Sequence, residues 1–192
     1  MAINAKAAAN YFLDKGQEKC APIDHMKLQK LVYFAHGWYM GFCDEPLIEE
    51  DIQAWEFGPV IPTIYHEFKH FGPNAISGRA VEYDAGIGAY APSIQGIENE
   101  TIVKHFLDEA WRLYGGYSSY RLSTMTHEPG TPWQVTVAPY LGTGQTVPKG
   151  LVIPNPVIRN YFKRLLGYSS SSSSSRSSVS SGSSSASSSS ST

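Results

Sequence analysis

Cysteine is scarce: the 192 residues contain only Cys20 and Cys43. Two thiols cannot form a disulfide scaffold, and they stand in no metal-ligand spacing, so they are expected to be reduced thiols of a cytoplasmic protein. Long hydrophobic runs are also missing. The most apolar one, residues 31–43, is 13 residues long and contains His36. It is too short to span a bilayer and reads as a buried helix. Residues 1–10 carry one Lys and no extended apolar core, which argues against a secretory signal. Positive charge is not in excess either. The last 24 residues, Ser169 to Thr192, include 19 Ser and one Arg, so the remainder holds 14 Lys and Arg against 17 Asp and Glu, a formal charge of −3. That balance argues against a dedicated nucleic-acid binder, which would show a basic stripe.

The serine-rich stretch cannot bury enough apolar surface to offset the entropy of ordering it, and it is expected to be a disordered tail on a domain formed by residues 1–168. A chain of that length encloses one hydrophobic core. Its periodicities predict about six helices. The first runs from Ala5 to Lys15 and stops at Gly16. Asp24 caps a second, whose apolar residues spread around nearly its whole circumference, as in a central helix with neighbours on all sides. Ile48, Ile52 and Ala54 alternate with polar residues and predict a strand over about Asp51 to Phe57, ended by Gly58 and Pro59. Pro62 opens a third helix that stops at Gly72 and Pro73. Residues 74–97 read as a loop with a marginal hairpin at Val81 and Tyr83. Asn99 caps a fourth helix to Tyr114, with Ile102, Val103, Phe106, Ala110 and Leu113 on one face. Ser118 or Ser119 opens a fifth to Thr126. Pro129 to Lys149 reads as a long connection, and Asn155 with Pro156 starts the last helix, where Val157, Ile158, Tyr161, Phe162 and Leu165 face inward. The expected fold is mainly α (α+β), a compact helical bundle with a short strand or small sheet.

His66, Glu67 and His70 fit the HExxH pattern on the third helix, where four-residue spacing places both imidazoles on one face and Glu67 beside a metal-bound water. This makes a zinc-dependent metallopeptidase the alternative reading. The helix ends two residues beyond His70, no HxxGxxH extension follows, and no pattern selects Glu100 or Glu109 as a third ligand. No GxSxG is present, and Gly86, Gly88, Gly142 and Gly144 lack phosphate-loop spacing. His127, beside Glu128, reads as a helix-end residue. Aromatic residues make up 12% of the chain, enough to leave some at the surface, where Trp and Tyr are favoured interface anchors.

Three blocks carry a resemblance. KLQKLVYFAHGW from Lys27, AWEFGPVIPTIYHEFKHFG from Ala54 and LSTMTHEPGTPW from Leu122 resemble, in this order, the SocA-like antitoxin family, or Panacea domain, known also from GepA-like phage proteins. The resemblance covers about residues 4–166. Its motif positions here are Leu28, Lys30, Leu31, Tyr33, Trp55, Gly58, Pro59, Val60, Tyr65, His66, Thr126, His127, Pro132 and Trp133. It implies a mostly helical cytoplasmic domain, without cofactor or catalytic residues, that neutralises a cognate protein toxin by direct binding. One relative instead delivers its toxin to a ClpXP-type protease, and a prophage-encoded member could serve as an anti-defence protein. Under this resemblance His70 completes HExxH by chance, and the partner-binding residues are expected to be Trp55, Phe57, Tyr65, His66, His127 and Trp133. No membrane partner is expected.

A tail that packs on nothing has no packing to lose. Deleting Ser169 to Thr192, with Leu165 and Leu166 spared, is expected to leave the thermal midpoint nearly unchanged; a clearly lower midpoint in a calorimetric scan would place the tail on the domain.

Overall fold

The computed structural model describes residues 2–142 and 145–167, so the serine tail and the boundary at Tyr168 lie outside the described residues. Helix α2, His25–Cys43, is the axis of the domain. Asp24 caps it as expected, its carboxylate accepting from the Lys27 amide at 2.9 Å. Most of the helix is buried on every side, because α1 (Ala5–Glu18), α3 (Pro62–Phe68), α4 (Glu100–Tyr114), α5 (Ser119–Thr126) and α7 (Asn155–Leu165) all pack against it. The small residues in α2 set how closely α7 approaches. At Gly37 a Cβ would lie 2.1 Å from the Phe162 ring, and at Gly41 one would lie 2.8 Å from the Phe162 Cβ. Phe162 fills the space and meets Trp38 and Tyr33 edge-on at centroid distances of 5.1 and 6.2 Å.

Several elements depart from the sequence expectations. α1 continues through Gly16 to Glu18, because Gly16 here gives Ile23 room to approach instead of ending the helix. Gly58 and Pro59 do not end the sheet. β1 (Gln53–Trp55) turns at Glu56 and Phe57 and pairs antiparallel with β2 (Gly58–Val60), with Gln53 opposite Val60 and Trp55 opposite Gly58. Gly58 makes this turn possible with φ of +102°, and residues 151–153 flank the other side of β1 through the Ala54 to Leu151 and Ile153 to Ile52 bonds, both 2.7 Å. The connection expected from Pro129 to Lys149 contains a seventh helix, α6 (Pro132–Leu141), capped by Thr131 with Pro132 in its first turn. Pro139 inside it breaks the sequence signal.

Pro154, not Asn155, occupies the cap position of α7, and Leu165 and Leu166 are exposed; Ile158 and Phe162 carry the inward face. On α4 the buried residues are Val103, Leu107, Ala110 and Tyr114, while Ile102 and Leu113 are exposed. The hairpin expected near Val81 is present as β3 (Glu82–Asp84) and β4 (Gly88–Tyr90), again antiparallel. A 3₁₀ turn, Lys69–Phe71, follows α3. Among the described residues no helix is long and apolar enough to cross a membrane.

The α2–α7 contact yields a direct test. Gly37→Ala should cost about 1–3 kcal/mol in denaturant unfolding because the added methyl meets the Phe162 ring. Part of that loss should return in a Gly37→Ala, Phe162→Leu double variant, whereas additive losses would show that the two positions are not coupled.

Candidate functional site

The six aromatic and imidazole residues singled out from the sequence converge on one feature, the β1–β2 hairpin. Its turn is held by side chains from two helices through three successive carbonyls. The Trp133 indole N–H of α6 donates to the Trp55 carbonyl at 2.7 Å. His127 Nε2, at the end of α5, lies 3.0 Å from the Glu56 carbonyl, and the Ser123 hydroxyl donates to the Phe57 carbonyl at 2.9 Å. His127 Nδ1 is 2.7 Å from the Ser123 carbonyl. Carbonyls only accept, so a neutral ring with one N–H satisfies one of these two contacts and a doubly protonated ring satisfies both.

Further along, α2 grips the same strand from beneath. Lys30 Nζ donates to the Pro59 carbonyl at 3.1 Å, and the Gln29 side chain accepts from the Ile61 amide at 2.8 Å and donates to the Ile61 carbonyl at 3.2 Å. A Cβ at position 58 would lie 2.5 Å from the Thr126 hydroxyl and 3.0 Å from Lys30 Nζ, so side chains fill the underside of the turn as well.

Above this clamp the surface is aromatic. The Trp55 and Tyr65 rings are 4.6 Å apart, Tyr65 adjoins His66 at 5.4 Å, and His127 packs on Trp133 at 3.9 Å. The candidates divide by exposure. Phe57 at the tip is 60% exposed, His66 is exposed, and Trp55, Tyr65 and His127 are half-buried. Trp133, at 8%, supports the surface from within. From residue 31 to 68 the chain carries no Lys or Arg, so the exposed Glu56 sits in a stretch whose side-chain charges are acidic. Supports that the sequence did not place at this site are Gln29, Lys30 and Ser123, of which Lys30 stands among the motif positions. The first two had a signal, since they are polar residues in a helix read as apolar on nearly all sides.

The HExxH residues are not assembled as a metal centre. Glu67 is engaged elsewhere: one oxygen pairs with Lys6 Nζ at 2.9 Å and the other accepts from the Val81 amide at 3.2 Å. His70 lies beyond α3 in the 3₁₀ turn, its ring 4.2 Å from that of Phe71. Among the described residues no three His, Cys, Asp or Glu side chains are grouped to hold a metal ion.

The geometry is that of a helical domain presenting a braced, exposed aromatic turn. Comparison with known proteins identifies its family. Residues 28–134 match the family model described as antitoxin SocA-like, Panacea domain, and the chain is 33% identical over 161 residues to Antitoxin SocA of Caulobacter vibrioides (strain NA1000 / CB15N), covering 84% of this chain and 83% of that protein. The chain therefore belongs to the SocA-like antitoxin family. No solved structure matches it.

Lys30 is only 1% exposed and makes no ion pair among the described residues; burial pulls its ammonium down to about 7. In the unfolded chain the same group titrates near the ordinary lysine value of about 10.4, so between these pH values the unfolded state binds more protons. The contribution of Lys30 to stability is therefore greatest above the unfolded value and is lost as pH falls towards 7. Raising pH from 7 to 9 should stabilise the native chain relative to Lys30→Met by on the order of 2 kcal/mol. Parallel pH profiles from denaturant melts would show that the amine is charged in place.

Proposed function

We propose that the chain is a non-enzymatic cytoplasmic antitoxin that neutralises a cognate protein toxin by direct binding, with the surface around the β1–β2 turn as its contact. Membership of an antitoxin family supports the general role. The observation that carries the surface is Phe57, which stands 60% exposed on a turn whose carbonyls at Trp55, Glu56 and Phe57 are each fixed by a side chain from α5 or α6. A turn whose backbone is already fixed loses little main-chain freedom on binding, which favours an aromatic residue at its tip as an anchor. Trp55, Tyr65 and His66 extend the contact to one side, and Ser123, His127 and Trp133 position it.

Co-expression with the neighbouring gene product tests the reading. The wild-type chain should restore growth and co-purify with the toxin. Phe57→Ala should weaken the complex at least tenfold, a loss of about 1.4 kcal/mol or more, with an unchanged thermal midpoint. Ser123→Ala should weaken it less, acting through the turn. Steady toxin levels in rescued cells are the signature of neutralisation by binding. Rescue without a detectable complex, or with toxin lost only when a ClpXP-type protease is present, would contradict direct neutralisation.

A further inference from the structure

The second hairpin is built like the first but faces a different groove. Its base is locked to α1. The Asn10 side chain, fully buried, donates to the Ala80 and Pro92 carbonyls at 3.1 and 2.9 Å and accepts from the Ala80 amide at 2.7 Å. Lys6 Nζ adds a 2.8 Å bond to the Val81 carbonyl. Beyond this base the arm projects into solvent, with Tyr83 at 82% and Ile87 at 74% exposure. Its sheet has only two strands, so among the described residues the outer edge of β4 carries no strand. At the Tyr90 end of β4 opens a groove of about 350 Å³, lined by the buried Ile3, Ala7 and Pro92, by Tyr90 and by the exposed Glu49 and Glu98.

Among the described residues the side-chain charges lining this groove have one sign: no Lys or Arg lines it, and residues 80–103 contain neither. The nearby cation, Lys6, is paired with Glu67 and Glu82 at 2.9 and 3.2 Å. Burial and then the neighbouring Glu49 and Glu82 raise the Glu50 carboxyl above its ordinary value, against the two bonds it accepts from the Ala5 amide. A second copy of this arm is a poor occupant, since pairing β4 with itself would bring acidic rims together. An open strand edge instead accepts an extended segment through main-chain bonds, with alternate side chains falling into the neighbouring groove.

We infer that β4 and the groove beside it dock an extended segment of a partner protein in which Lys or Arg alternates with aliphatic residues, added to the sheet as a third strand. The aliphatic side chains fill the groove over Ile3, Ala7 and Pro92, and the cations meet Glu49 and Glu98. This surface is separate from the β1–β2 turn and does not depend on the toxin being bound there.

The probes are three labelled nine-residue peptides, alternating Lys with Val, Lys with Gly and Glu with Val, titrated against the full chain by fluorescence anisotropy. The Lys–Val peptide should saturate, the Lys–Gly peptide should bind at least tenfold more weakly, and the Glu–Val peptide should not bind over the same range. Glu49→Gln with Glu98→Gln, both at exposed positions, should weaken Lys–Val binding at least fivefold without moving the thermal midpoint. Hydrogen exchange should slow at residues 88–90 in the complex. The inference is overturned if the Lys–Val peptide fails to bind, if Lys–Gly binds equally well, if the glutamine pair has no effect, or if exchange at residues 88–90 is unchanged.

Discussion

Gln29, Lys30 and Ser123, buried in the walls of α2 and α5, need hydrogen-bond partners, and the backbone of residues 57–61 supplies them. An unsatisfied amine or amide in that position would cost more than the bond it makes contributes, so Gln29, Lys30 and Ser123 fix the path of the hairpin as firmly as the apolar core does. The aromatic surface follows from this constraint. Phe57 points outward because the carbonyl beside it is held inward, and Trp55 is set against Tyr65 because its own carbonyl is held by Trp133. The weakened hold of Lys30 on its proton belongs to the same arrangement, since a lone carbonyl is enough for an amine but a poor match for a buried ammonium.

The two hairpins share a design. Each is short, marginal by itself, and made definite by side chains reaching from a helix to the backbone at its base. For β1–β2 those side chains come from α2, α5 and α6; for β3–β4 they are Asn10 and Lys6 of α1. Both leave exposed aromatic residues at the far end.

Features written in local chemistry were legible in the sequence. Asp24 and Ser118 cap their helices with the side-chain bonds their residue types suggest. The circumferential apolarity of α2 correctly marked it as central. Where two local rules competed, the reading failed. Thr131 with Pro132 is as good a start signal as the one used for α7, yet Pro139 and the glycines that follow hid α6. Gly58 and Pro59 read locally as a stop, although the same glycine's positive φ is what lets the chain fold back into β2. At the candidate site the aromatic residues could be named from the motif blocks. The bracing roles of Ser123 and Gln29 could not, because Ser123 bonds a carbonyl 66 residues away and Gln29 one 32 residues away, and only the folded chain brings them together.

The central claim is that the toxin contacts the tip of the braced β1–β2 turn. Site-specific photo-crosslinking tests this most directly. A benzoylphenylalanine placed at Phe57 should form a covalent adduct with the toxin in the co-expressed complex. The same group at Phe42, equally exposed at the far end of α2 beside Phe106, should not. Adducts from position 42 with none from position 57 would contradict the account.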